Sequence, residues 1–203
     1  MFVVFEGVDG AGKSLQIKHA ASLLYDRDKG ANVLLTREPT ADLAEIRERL
    51  AGLSDPLEGA AWFTEAFIED RRGHVKDHII PALRRGTHVL CDRYRGSTVA
   101  YQGAQGMDPA WLAAQQAGFR APDLTILLDV PADVAQRRRA ADASEVFDRA
   151  GTDFTQRLRG LYLRLPDLLP DDHVVVIDAG RPVGEVADAV AEALLRRLAE
   201  LEL

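Results

Sequence analysis

Five short apolar runs punctuate the chain, at residues 2–6, Asn32–Thr36, Thr87–Cys91, Leu124–Asp129 and Val174–Ile177, and each is continuous rather than alternating. Runs of this kind mark strands covered on both faces, as in a parallel sheet. Between them the apolar positions recur at spacings of three and four, which predicts helices. Ile17, Ala20 or Ala21, and Leu24 make one stripe, with Gly30 as its expected cap, and Val190, Leu194, Leu198 and Leu201 make another near the end. From Asp42 to about Arg85 the pattern stays helical, with a break near Asp55-Pro56 and an expected kink at Pro81. Asp108-Pro109 reads as a helix start, and a further helix is expected from Phe154 to Leu168. Parallel strands require crossovers, so this alternation predicts an α/β fold, a five-stranded parallel sheet with helices on both faces, in one domain over 1–203. Between Ala140 and Gly151 the periodicity fails. That segment, about 140–151, reads as a short flexible lid behind a helix carrying Gln136-Arg137-Arg138-Arg139.

The first strand runs straight into Gly7-Val8-Asp9-Gly10-Ala11-Gly12-Lys13-Ser14, which fits the phosphate-binding loop pattern of Gly, four residues, Gly-Lys, then Ser or Thr. The glycines let the backbone curl with its N–H groups inward, so that a polyphosphate sits at a helix N-terminus. Lys13 supplies a point charge for the β- and γ-phosphates of a nucleotide, and Ser14 a hydroxyl for Mg²⁺. Strand, loop and helix in this order give a P-loop NTPase fold. In such a sheet ligands bind at the carboxyl edge, where the second strand delivers Arg37 and Glu38 and the third ends in Asp92, a second candidate for holding Mg²⁺. Arg93, Tyr94, Arg95, Ser97, Thr98, Tyr101 and Gln102 follow directly, a dense group of hydrogen-bonding side chains. Phe67, Asp70, Arg71 and His74 would share one helix face; spacing alone suits a core phenylalanine beside a solvated polar row.

The formal charge of −7 and a pI near 5.3 argue against a nucleic-acid or membrane-surface partner. An anionic ligand must therefore be met by local arginines. A single cysteine, Cys91, excludes an internal disulfide, and without a signal segment or an apolar run of membrane-spanning length a cytoplasmic protein is expected. A polyphosphate cradle, an acid for Mg²⁺ and several arginines on one sheet edge make a phosphoryl-transfer layout, in which fixed cations and in-line positioning supply most of the catalysis. With many arginines and no Ser-His-Asp or metal-His cluster, a monophosphate acceptor is favoured, since its oxygen is already ionised and needs no general base.

With these residues in view, the chain resembles the thymidylate kinase family over nearly its whole length. The resemblance is carried by Phe5-Glu6-Gly7-Val8-Asp9-Gly10-Ala11-Gly12-Lys13-Ser14, Thr36-Arg37-Glu38-Pro39, Phe67-x-x-Asp70-Arg71-x-x-His74, Asp92-Arg93-Tyr94 with Ser97-Thr98, Ala100-Tyr101-Gln102-Gly103, and Pro122-Asp123-Leu124-Thr125 through Leu128-Asp129-Val130. It implies ATP-dependent phosphorylation of dTMP to dTDP, with Mg²⁺ on Ser14 and Asp92, and a homodimer. It also implies that Phe67 stacks on the pyrimidine, that Arg71 donates to its O4, and that Ser97 and Thr98 line the substrate, Thr98 at the base edge. Arg93, and more weakly Arg37, would hold the acceptor phosphate, and Tyr101 would lie against the 2′-carbon. Asp9 would stand beside the acceptor phosphate and metal, and Lys13 on the donor side. The lid would supply the catalytic arginine, Arg138 or one of Arg137, Arg139 and Arg149. Two positions depart from the family pattern: Thr40-Ala41-Asp42 stands where Gly-Gly-Thr is usual, and Leu15 where Thr is frequent. Two rivals remain at this point, a deoxynucleoside kinase with Glu38 as general base on a 5′-hydroxyl, and an ATP-binding sensor module without turnover.

Overall fold

The structure, a computed structural model, describes residues 1–40, 44–139 and 151–201. Strands β1 (Phe2–Glu6), β2 (Val33–Arg37), β3 (His88–Asp92), β4 (Leu124–Asp129) and β5 (Val174–Asp178) form one parallel sheet in the order β2-β3-β1-β4-β5. The continuous apolar run of the central strand has a direct cause in its two covered faces. Phe2 and Val4 pack with Val89, Cys91, Ile79 and Tyr94 on one side, and Val3 and Phe5 join Leu90, Ile126 and Leu128 on the other. The expectation of burial on both faces fails at the edges, where Leu35 is 50% exposed on β2 and Val176 44% exposed on β5. An outermost strand has no neighbour on one side and only part of a helix layer above it, so its apolar residues stay half in water.

β2 and β3 each sit one residue later than expected, because Arg37 and Asp92 are paired as the last rung between them. Backbone pairing is indifferent to side-chain charge, so the polar boundary in the sequence is not the strand boundary. Helix α1 (Lys13–Arg27) begins at Gly12, whose φ of 96° is left-handed, and ends at Asp28. Gly30 is therefore not its cap; its N–H donates to the Asp28 carboxylate at 2.8 Å.

The long helical pattern divides into α2 (Ala44–Gly52) and α3 (Ala60–His74), with the break across Asp55-Pro56 as expected. At its end α3 widens into a π turn, Val75–Ile79, before α4 (Ile80–Arg84), which carries Pro81 in its first turn. The proline ring cannot sit over a regular i−4 carbonyl and offers no N–H, and the wider turn accommodates both defects. Next come α5 (Arg95–Ala104) and α6 (Pro109–Ala114), the latter capped by Asp108, which accepts from the Ala110 N–H at 2.8 Å. α7 (Ala132–Arg139) precedes the expected lid, which lies outside the described residues. The helix expected from Phe154 to Leu168 is two, α8 (Thr152–Tyr162) and α9 (Leu165–Leu168), since Pro166 restarts the helix in a new first turn. On α10 (Val183–Leu201) Val190, Leu194 and Leu198 are buried, whereas Leu201 at the frayed end is 45% exposed. Among the described residues no helix is long and apolar enough to cross a membrane.

Parallel pairing puts the ends of β1, β2, β3 and β4 at one margin, and Gly7 marks its tightest point. An added Cβ there would lie 2.5 Å from the Leu128 carbonyl oxygen, and the backbone holds φ at 137°. Gly7→Ala is expected to lower the unfolding free energy by about 2–4 kcal/mol through this clash and strain, measured by urea denaturation, with loss of nucleotide binding.

Candidate active site

Lys13 opens α1, and its ammonium lies 2.9 Å from the Gly7 carbonyl, 3.2 Å from that of Val8 and 3.7 Å from Asp9 Oδ1. The loop thus folds round its own lysine, which is 6% exposed, and Ser14 beside it faces solvent. Burial, then the neighbouring Arg93 charge, lower the pKa of this ammonium, while Asp9 opposes them.

Arg93 follows β3 with a left-handed φ of 70°, a conformation that costs a side chain of this size roughly 1–3 kcal/mol. Its Nη2 donates to Asp9 Oδ1 at 2.5 Å and to the Tyr101 hydroxyl at 3.0 Å, and its Nη1 to Tyr162 Oη at 2.8 Å and Ser97 Oγ at 3.2 Å. The Tyr101 hydroxyl in turn donates to Asp9 Oδ2 at 2.8 Å. Asp9 therefore carries two cations on one oxygen. Burial would raise its pKa, but Arg93 and Lys13 outweigh that and hold the carboxyl well below the usual range. Asp92, also at this margin, has a buried Oδ1 with no hydrogen-bond partner.

A second polar group is built from α3, the loop after β2 and α5. Asp70, Arg71 and His74 are 7%, 1% and 3% exposed, so the row on α3 is interior rather than solvated. Arg71 Nε and Nη2 both reach Glu38 Oε2, at 2.9 and 2.7 Å; Nη1 donates to Gln116 Oε1 at 2.6 Å and Nη2 to Thr98 Oγ1 at 3.1 Å. Glu38 Oε1 takes His74 Nδ1 at 3.0 Å, which must carry the hydrogen because an ionised carboxylate only accepts. Thr40, where the sequence departs from the family pattern, binds Asp70 through both its N–H and its hydroxyl, at 2.9 and 2.5 Å. Phe67 is half-buried and stacks on Phe63 at 5.8 Å.

Gln102, one turn beyond Thr98 on α5, is fully buried and its Oε1 lacks a partner. An acceptor left open suits a ligand that presents an N–H.

Comparison with known proteins agrees with this geometry. Residues 5–190 match the family model described as thymidylate kinase. The chain belongs to the thymidylate kinase family. Thymidylate kinases from Thermomicrobium roseum and Caulobacter vibrioides are 46% identical over 199 residues and 40% identical over 210 residues; the first alignment covers 93% of this chain and 91% of the relative, the second 97% of each. A probable thymidylate kinase from Pyrococcus horikoshii is 38% identical over 180 residues, 86% of each chain.

Of the residues singled out from the thymidylate kinase resemblance, Asp9, Lys13, Arg93, Ser97 and Tyr101 meet in one cluster, and Arg71 and Thr98 in the other. Arg37 is exposed at the end of β2 and, among the described residues, joins neither hydrogen-bond network. The Ser97 hydroxyl turns inward to Glu6 at 2.6 Å and Tyr162 at 2.9 Å. Arg138 does not join the Lys13 cluster: its Nη1 donates to the Ala179 carbonyl at 3.0 Å. Arg137 pairs with Asp133 on the surface of α7. The Arg139 side chain and Arg149 lie outside the described residues. Glu38, considered as a general base, has both carboxylate oxygens hydrogen-bonded, Oε2 to Arg71 and Oε1 to His74.

Gln116, Tyr162 and Arg159 were not foreseen, and Glu6 and Gln102 stood in the quoted motifs without a role of their own. Arg159 grips both oxygens of Asp129, at 2.6 and 2.7 Å, beside the base of α7. Glu6 also carried a signal in its own strand, an acid inside the apolar run of β1. It is fully buried, and burial pushes its carboxyl up to about 7, against the opposing effect of the Ser97 hydroxyl. Between pH 4.5 and about 7 the native state then keeps a proton that the unfolded chain has released, so this group makes stability fall as pH rises through that window and level off above it. Urea denaturation from pH 4.5 to 8 is expected to show wild type losing up to roughly 3 kcal/mol relative to Glu6→Gln, most of it below pH 7.

Proposed function

We propose that this protein transfers the γ-phosphoryl group of ATP to the 5′-phosphate of dTMP, giving dTDP and ADP. The observation that carries the reading is the junction of Lys13 and Arg93 on Asp9. It places a donor-side and an acceptor-side cation against one carboxylate, at the mouth of the phosphate-binding loop. Two mutually repelling phosphates are drawn together where two cations already stand. The acceptor oxygen is ionised near neutral pH, so no side chain has to remove a proton, and the work reduces to alignment and charge stabilisation.

Arg71, Thr98 and Gln102 are assigned to the base. Arg71 Nη1 spends one hydrogen on Gln116 and has a second for the thymine O4; the open Gln102 Oε1 suits the ring N3–H. Cytosine reverses both polarities and would leave donor facing donor. Phe67 is assigned as a stacking face, and Tyr101, hydrogen-bonded between Asp9 and Arg93, is assigned to exclude a ribose 2′-hydroxyl. Ser97 serves by holding Arg93, and Arg138 is kept as a candidate for the catalytic arginine of the lid. Membership of the thymidylate kinase family does not favour the 5′-hydroxyl kinase reading, and a sensor without turnover does not call for the acceptor-side arginines.

Mg²⁺ fits the residues present. The Ser14 hydroxyl and Asp92, whose buried Oδ1 lacks a partner, would hold it together with the nucleotide phosphates and water; among the described residues no cluster of three or more His, Cys, Asp or Glu could bind a metal by itself. When bound, the ion neutralises charge on the β- and γ-phosphates. Asp92→Asn is expected to raise the Mg²⁺ concentration needed for half-maximal rate about tenfold, read from a metal titration at fixed ATP.

ADP release with each common nucleoside monophosphate tests the assignment. dTMP is expected to be turned over best, dUMP less well and dCMP slower by roughly 10³-fold or more, with thymidine inert. Lys13→Ala should lower kcat for dTMP by about 10³-fold. Turnover of thymidine in place of dTMP would overturn the reading.

A further inference from the structure

Arg93 needs an explanation that its own contacts do not supply. A bulky residue in the left-handed region relaxes unless the surrounding backbone is fixed. Its N–H donates to the Phe5 carbonyl at 2.9 Å, and its carbonyl accepts from Cys91 Sγ at 3.0 Å. The next peptide is held by Glu6. From the end of β1, Glu6 Oε1 accepts the Tyr94 N–H at 3.0 Å and the Ser97 N–H at 2.9 Å, while Oε2 accepts the Ser97 hydroxyl at 2.6 Å. α5 has no capping side chain of its own, so a residue from another element satisfies its first turn. Gly96 makes the approach possible: a Cβ there would stand 3.0 Å from Glu6 Oε1 and 2.8 Å from Leu165 Cδ1.

The same carboxylate reaches the guanidinium through hydroxyls. Arg93 Nη1 donates to both Tyr162 Oη and Ser97 Oγ; Ser97 passes its own hydrogen to Glu6, and the Tyr162 hydroxyl is then the donor to Ser97. Three donors converge on the two Glu6 oxygens, and each leads back to Arg93 or to the turn that carries it. Glu6 also immediately precedes Gly7. One side chain thus ties the start of the phosphate-binding loop to the loop bearing the acceptor-side arginine.

We propose that Glu6 is a positioning residue for acceptor binding: by fixing the first turn of α5 and the Ser97–Tyr162 hydroxyl pair from β1, it holds Arg93 beside Asp9 and Lys13 before an acceptor phosphate arrives. This rests on the dTMP kinase reading for its kinetic consequence, though not for its geometry. Two conservative variants separate reach from charge. Glu6→Gln keeps the length and an acceptor oxygen for the two amides; Glu6→Asp keeps the carboxylate but withdraws it by one methylene.

Steady-state kinetics with dTMP varied at saturating ATP, and the reverse, provide the first readout. Glu6→Asp is expected to raise the KM for dTMP at least tenfold while changing the KM for ATP less than threefold; Glu6→Gln should lose less than threefold in kcat/KM for dTMP. Crystal structures provide the second, with Arg93 leaving the left-handed region in Glu6→Asp and keeping it in Glu6→Gln. Gly96→Ala, which pushes the carboxylate away without removing it, should reproduce the dTMP defect. The proposal is overturned if Glu6→Asp binds dTMP as wild type does, if Glu6→Gln is the more damaged of the two, or if both KM values rise together. If wild type itself does not phosphorylate dTMP, the functional reading fails, and the Arg93 backbone in the Glu6→Asp crystal still decides the positioning role.

Discussion

Two cations are held side by side at the margin of a parallel sheet, and a single carboxylate keeps them there. In a partly desolvated site the repulsion between Lys13 and Arg93 is of order a few kcal/mol, comparable with a large part of a domain's net stability. Asp9 offsets it by binding both charges on one oxygen, and the loop carbonyls of Gly7 and Val8 share the ammonium. The protein can therefore store positive charge where nucleotide phosphates will lie, although its net charge is negative. The rest of the margin follows from this requirement: glycines that admit the loop, a strained arginine backbone, and hydroxyls that receive its remaining hydrogens.

The second polar group, around Arg71, repeats the device with different parts. Arg71 is also neutralised by an acid before any ligand comes, and Glu38 is itself fixed by His74, whose other nitrogen meets Thr36 at 2.7 Å. Both arginines thus have settled orientations in the free protein. Binding then orders few side chains, and the favourable contacts are less offset by lost conformational freedom. The Thr40 contact to Asp70 extends this second network to the loop after β2, at the position where the chain departs from its family's usual glycine.

Much of this was legible in the sequence because the signals were local. The phosphate-binding loop is contiguous, the central strands read as unbroken apolar runs, and Asp108-Pro109 marked a helix start that the structure retains. What escaped was long-range. No spacing rule joins Glu6 to Ser97, Gln116 to Arg71 or Tyr162 to Arg93, since each pair is made only when the sheet brings distant segments together. The helix face of Asp70, Arg71 and His74 illustrates the same limit: periodicity placed the three on one side, but only packing decided that the side faced inward. Exposure of the edge strands was hidden for a related reason, because an apolar run looks the same at the centre of a sheet and at its border. Arg138 was assigned to transfer through the resemblance, as an arginine at the lid, and here its guanidinium donates to the Ala179 carbonyl after β5.

The double use of Glu38 bears on how such a protein could drift. On the proposed assignment of Arg71 to the base, a lineage moving toward a cytosine nucleotide as acceptor would need a hydrogen-bond acceptor at position 71, and the first step would remove the partner of a buried carboxylate. Leaving that charge uncompensated costs roughly 3–5 kcal/mol, a large share of what keeps a domain of this size folded. The intermediate would be lost to unfolding before any new preference could be selected. Base choice is in this way buffered against single-step change, and altering it calls for at least positions 38 and 71 to move together, with His74 following.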